Sequence, residues 1–109
     1  MTPEEEVAAA QRRVAETAAA MLSGQMHFLE GVRALHSLLG QAGVAWNDED
    51  ALTIDGADSE TDSLPIGEVR RHWADEALQR LEPEIEAATQ WAKEFASGAC
   101  ESLVARFGK

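Results

Sequence analysis

The residues whose types could do chemistry here are acids. Between Gln41 and Gly67 lie Asp48, Glu49, Asp50, Asp55, Asp58, Glu60 and Asp62, with no Lys or Arg among them, and Glu68 follows directly. Carboxylates at this density suit two tasks. They ligate hard cations through oxygen, or their summed field attracts a basic surface. An EF-hand calcium loop needs acids at its first, third and fifth positions, a glycine at the sixth and a bidentate Glu at the twelfth. Counted from Asp58, Glu60 and Asp62 fit, but Ser63 replaces the glycine and Val69 stands where the Glu belongs. Counted from Asp55, Ala57 already fails. The spacing excludes that motif, and no metal ligand or cofactor is assigned. What remains is a row of carboxylates that imitates phosphates and enters the basic cleft of a nucleic-acid-acting protein, with fast, steered association. The bland alternative is a solvated loop whose Asp and Ser side chains cap turns.

Trp46 and Trp73 flank this segment. Tryptophan buries a large area with few rotors and recurs at binding hot spots, though it is equally a core residue. The expected partner-binding set is therefore Trp46, Asp48, Glu49, Asp50, Asp55, Asp58, Glu60, Asp62, Glu68 and Trp73. Other constellations are weaker. Glu68, His72 and Glu76 would share a face if the segment were one helix, but two acids and one His seldom close a metal site. A surface row of ion pairs is the simpler expectation. Arg70 is expected to fold back onto Asp58, Glu60 or Asp62 and stake the loop down. His27 and His36 point in different directions on one helix. Cys100 falls beside an apolar stripe, where a thiol behaves as a small hydrophobe. No H-E-x-x-H, C-x-x-C, G-x-S-x-G or phosphate-cradling glycine motif occurs. No catalytic residue is assigned, and the chain is expected not to be an enzyme.

The elements that must position these acids read as helices. Thr2, Pro3 and Glu5 form a capping-box start. Val7, Val14 and Met21 recur every seven residues behind it, with Ala10, Ala18 and Leu22 alongside. Ser23-Gly24 punctuates the pattern. A second helix over about 25–39 carries Phe28, Leu29, Val32, Leu35 and Leu39, and Gly40 and Gly43 end it. The two form an antiparallel hairpin or one helix kinked at Gly24. Positions 41–67 read as an ordered acidic loop, anchored by Val44, Trp46, Leu52, Ile54, Leu64 and Ile66, with a short extended piece at Leu52–Ile54. A short helix follows from Gly67 to Trp73. Asp75 is the expected cap of a last apolar run: Leu78, Leu81, Ile85, Ala88, Ala92, Phe95, Ala99, Leu103 and Phe107. Trp91 is placed in the core or at its rim. Pro83 either kinks this run or starts a new helix. The expectation is an all-α fold, a three- to four-helix bundle with one ordered acidic loop insertion, as a single domain over 1–109.

Composition sharpens the class. The chain has 109 residues, 20 acids against 9 bases and a net charge of −11. That charge repels nucleic acid and anionic membranes and favours basic protein partners. A lone cysteine excludes an intrachain disulfide. The acidic start lacks the basic-then-apolar pattern of a signal peptide, and no apolar run is long enough to span a membrane. Cytoplasmic residence is expected.

Two stretches resemble a group of small bacterial helical proteins: MLSGQMHFLEGVRAL, Met21 to Leu35, and DSETDSLPIGEVRRHW, Asp58 to Trp73. The shared pattern, D-S-E-T-D-x-L-P-x-G-E-V-R-x-x-W, is carried here by Asp58, Ser59, Glu60, Thr61, Asp62, Leu64, Pro65, Gly67, Glu68, Val69, Arg70 and Trp73. The resemblance implies a helical fold and no particular activity. Charge, size and the lack of catalytic motifs together point to a protein-binding inhibitor, such as a bacterial immunity protein or antitoxin that occludes the active site of a cognate toxin. The alternatives are a small-ligand or metal-binding protein using the loop carboxylates, and an interaction module. The chain would be a monomer, or a homodimer through its Ala-rich first helix.

Overall fold

The computed structural model describes residues 1–108. Thr2, Pro3 and Glu5 start the first helix, α1 (Pro3–Ser23), as their types predict. The Glu5 amide donates to Thr2 Oγ1 at 3.1 Å, and the Thr2 amide donates to Glu5 Oε1 at 3.3 Å. Gly24 ends α1 with φ of 82° and donates its amide to the Met21 carbonyl, a left-handed cap that favours glycine. The chain then reverses into α2 (Phe28–Gln41), so the first two segments are separate helices. Their direction is antiparallel: Met21 faces Gly31, the Gln11 side chain donates to the Ala42 carbonyl, and Val7 lies near Gly43.

Residues 41–67 do not form one continuous loop, because their middle is helical. Asp48 caps a thirteen-residue helix, α3 (Glu49–Thr61), by accepting from the amides of Asp50 and Ala51. This corrects the expected acidic loop insertion and its extended piece at Leu52–Ile54. The reason is packing. Ala51, Ile54, Ala57 and Thr61 recur at spacings of three and four and are all buried. Glu49 and Asp50 sit in the first turn, where negative charge is favourable. The buried set contains one large aliphatic residue, so the segment has almost no hydrophobic periodicity. Trp46 and Leu52, expected as anchors, are exposed, whereas Ile54, Leu64 and Ile66 are buried as expected.

A 3₁₀ helix, Gly67–His72, precedes the last helix, α4 (Asp75–Phe107). Ala74 occupies the cap position and makes no side-chain bond, so Asp75 is the first helical residue and not the cap. Its charge, with that of Glu76, still faces the positive end of the helix dipole. Pro83 lies inside one continuous helix of 33 residues. It removes one backbone donor, and the exposed position leaves the freed carbonyl to water.

Every described element is helical. α1 packs on α2 and α4, and α3 packs on α2 and α4, around one shared core. Val14, Leu29, Val32, Leu35, Ile54, Cys100 and Leu103 are fully enclosed in it. Deleting a leucine side chain from such a position costs about 2–5 kcal/mol. No helix among the described residues is long and apolar enough to cross a membrane. The Ala-rich face of α1 is spent inside the fold: Ala10, Ala15 and Ala18 are buried.

Candidate functional site

The sequence places ten residues in one interface, and the fold divides them. Thirteen helical residues at about 1.5 Å rise put the ends of α3 about 20 Å apart. Trp46 stands before one end and Trp73 beyond the other. Both are exposed, Trp46 at 79% of its full area.

Asp48 and Asp50 are drawn inward. Arg106, in the last turn of α4, donates Nη1 to Asp48 Oδ1 at 3.0 Å and to Asp50 Oδ2 at 2.9 Å. Ser102 donates its hydroxyl to Asp50 Oδ2 at 2.6 Å. Asp50 is 9% exposed, so a buried carboxylate is fully partnered and staples α3 to α4. The bond from Arg106 and the cap amides outweigh desolvation and hold the Asp48 carboxyl below the usual carboxylate range. The same contacts, from Asp48 and then Asp50, raise the Arg106 guanidinium. Both carboxylates are engaged within the fold.

Asp55 and Asp58 lie three residues apart, on the side of α3 toward α2. His36 of α2 reaches them, with Nδ1 2.7 Å from Asp55 Oδ1 and 3.9 Å from Asp58 Oδ2. A carboxylate only accepts, so Nδ1 carries the hydrogen of that bond. His36 bonds no hydroxyl or thiol among the described residues. Among the described residues no three His, Cys, Asp or Glu side chains converge as a metal site.

Glu68 pairs with Arg71 at 3.1 Å, both exposed. The helical row of Glu68, His72 and Glu76 does not form, because the chain breaks between the 3₁₀ helix and α4 at Trp73 and Ala74. Arg70 does not reach Asp58, Glu60 or Asp62. Arg33 of α2 does the staking instead, donating Nη2 to the carbonyl of Thr61 and, at 3.1 Å, to that of Leu64. A cation there satisfies the open carbonyl end of α3. The D-S-E-T-D-x-L-P-x-G stretch is this exit. Thr61, Leu64, Pro65 and Ile66 are buried. Gly67 has φ of 71°, and a Cβ on it would stand 3.0 Å from Glu30 Oε1.

Glu49, Glu60 and Asp62 are exposed, and none has an ion pair among the described residues. They are the free charge of the expected set. Two exposed aromatic residues lie outside the expected set. Trp91 and Phe95 of α4 stack at 5.0 Å between ring centroids with planes 11° apart. They are 38% and 47% exposed, which corrects the placement of Phe95 in the apolar stripe and, of the two places expected for Trp91, leaves the rim and not the core. Ala92, Ala96, Ala99 and Cys100 fill the inward face between them. The signal available in the sequence was that run of small residues, which marks a close helix contact. Cys100 is buried as expected, and burial, with the charges of Asp50 and Glu101, pushes its thiol up to about 11.

Compared with protein-family models, curated proteins and solved structures, the chain has no match.

Proposed function

We propose that the chain is a protein-binding inhibitor, of the kind represented by bacterial immunity proteins and antitoxins. In this reading it binds a basic protein, a cognate toxin, and occludes its active site through an acidic surface centred on α3. The observation that carries the reading is the unpaired acid. With a net charge of −11, the fold uses Arg106 on Asp48 and Asp50 and His36 on Asp55, yet leaves Glu49, Glu60 and Asp62 exposed without a counter-ion. Such a field steers a basic partner and repels nucleic acid and anionic lipid. The helices form a bundle that serves as scaffold, and the chain contributes no chemistry of its own.

The test is capture by the tagged chain from its own lysate at low and high salt. One stoichiometric basic protein, released at high salt, is the expected result. The double reversal Glu60→Lys/Asp62→Lys should weaken its binding at least tenfold. Stability should change by only about 0.5 kcal/mol, because both positions are exposed and unpaired. Binding unaffected by that double reversal would overturn the acidic surface as the interface.

A further inference from the structure

We propose that the basic partner docks on the seam between α3 and α4, with the Trp91–Phe95 stack as its apolar anchor, and that the occupant is a partner segment presenting arginine or lysine around an apolar side chain. The proposal rests on the binding reading above and replaces its expected anchors, Trp46 and Trp73.

Geometry supplies the anchor. α3 and α4 run antiparallel, because Asp48 and Asp50 meet Arg106, Asp50 meets Ser102, and Gly56 lies under Phe95. A Cβ on Gly56 would stand 3.3 Å from Phe95 Cε2, so the ring lies against bare helix backbone. Leu52, one turn before Gly56, is also exposed. Leu52, Phe95 and Trp91 therefore give one apolar strip along the seam. Two stacked rings held half in solvent on rigid helices are preorganised for contact, and aromatic side chains of this kind dominate binding energy.

Charge selects the occupant. Glu49, Leu52, Gly56 and Glu60 are three and four residues apart, so one stripe of α3 carries the apolar centre with an acid at each end. On α4, Glu94 precedes Phe95, and Glu84 lies two turns before Trp91. The base within the seam, Arg106, is held by Asp48 and Asp50. A second copy would set acidic rim against acidic rim, with −11 on each chain, and is disfavoured. A partner arginine can pair with a rim carboxylate and stack on a ring face. Trp73 has mixed surroundings: Arg80 and Glu84 both line its cavity of about 320 Å³, and Arg71 in the adjoining 3₁₀ helix pairs with Glu68. Trp46 lines a cavity of about 220 Å³ beside Asp55, whose charge His36 already engages.

The test uses a photo-crosslinking benzophenone amino acid placed singly at 46, 73 and 95 of the full chain, in the cells that make it. The expected result is an adduct with a basic protein from position 95 and none from 46 or 73. With that protein purified, Trp91→Ala and Phe95→Ala should each raise Kd at least tenfold. Phe95→Tyr should restore binding, and circular dichroism should show all three variants folded. Adducts from 46 or 73 alone would overturn the seam and leave the inhibitor reading standing. An adduct with a second copy alone would overturn the choice of occupant. No adduct from any position, with no basic protein retained by the unmodified chain, would overturn both.

Discussion

Replacing Asp50 by Ala tests whether this acid is a staple or part of a binding surface. The carboxylate is 9% exposed and accepts two bonds, from Ser102 at 2.6 Å and Arg106 at 2.9 Å. A hydrogen bond involving a charged group contributes about 1.5–3 kcal/mol. Arg106 is partly exposed and keeps Asp48, so the low end of that range applies to both bonds, and the expected loss is about 3 kcal/mol. For a domain of this size that lowers Tm by about 12–20 °C. Asp50→Asn keeps an acceptor for Ser102 and should cost about half as much. In a double-mutant cycle with Arg106→Ala, the two losses should fall short of additive by about 1 kcal/mol, because each mutation removes the same bond. The assay is urea unfolding followed by circular dichroism, with Glu49→Ala as an exposed control expected within about 0.5 kcal/mol of the unaltered chain. An Asp50→Ala chain as stable as that control, or strict additivity with Arg106→Ala, would refute the staple.

Three further outcomes follow from the same physics. Asp48 is held below its ordinary range by Arg106, so its contribution is present above about pH 4 and disappears as pH falls through the lowered value; the stability gap between the unaltered chain and Arg106→Ala should narrow in acid urea titrations, and a gap that widens would contradict the pairing. Cys100, raised to about 11, contributes stability that is complete below the ordinary thiol range and lost as pH rises through that value, and in folded protein its reaction with a disulfide reagent should be limited by unfolding; rapid labelling at pH 8 would show the thiol exposed. Gly31 and Gly98 should differ in sign: alanine at 98 meets nothing and should stabilise α4 by about 1 kcal/mol, whereas a Cβ at 31 collides with the Met21 side chain, Cε at 2.9 Å among its atoms, and should cost about 1–3 kcal/mol before that same propensity gain is subtracted. Thermal melts of the two variants decide it.

The helical character of the chain was legible because its signals are local. The Thr2–Glu5 box, the glycine stop at Gly24 and the stripe from Phe28 to Leu39 each act within a few residues, and all are present in the structure. α3 was not legible. Its buried face is Asp50, Ala51, Ile54, Ala57 and Thr61, and a helix held by small and polar side chains carries almost no apolar period to read. Its one local sign was Asp48 ahead of Glu49 and Asp50, a cap and an acidic first turn hidden among other acids. Reading those acids as a loop also merged them into a single site.

The sequence by itself determined the charge, the helix-forming segments other than α3, the absence of known catalytic motifs and the thiol's place on an apolar stripe. Tertiary structure alone decided which acids are free. Asp48 and Asp50 are taken because Arg106 arrives from 56 and more residues away, and Glu49, Glu60 and Asp62 are left because nothing does. It also decided that Trp91 and Phe95 face outward, since α4 turns its alanines and Cys100 to the core. Pairing and exposure are properties of distance in space, and spacing along a chain reports that distance only within a helix.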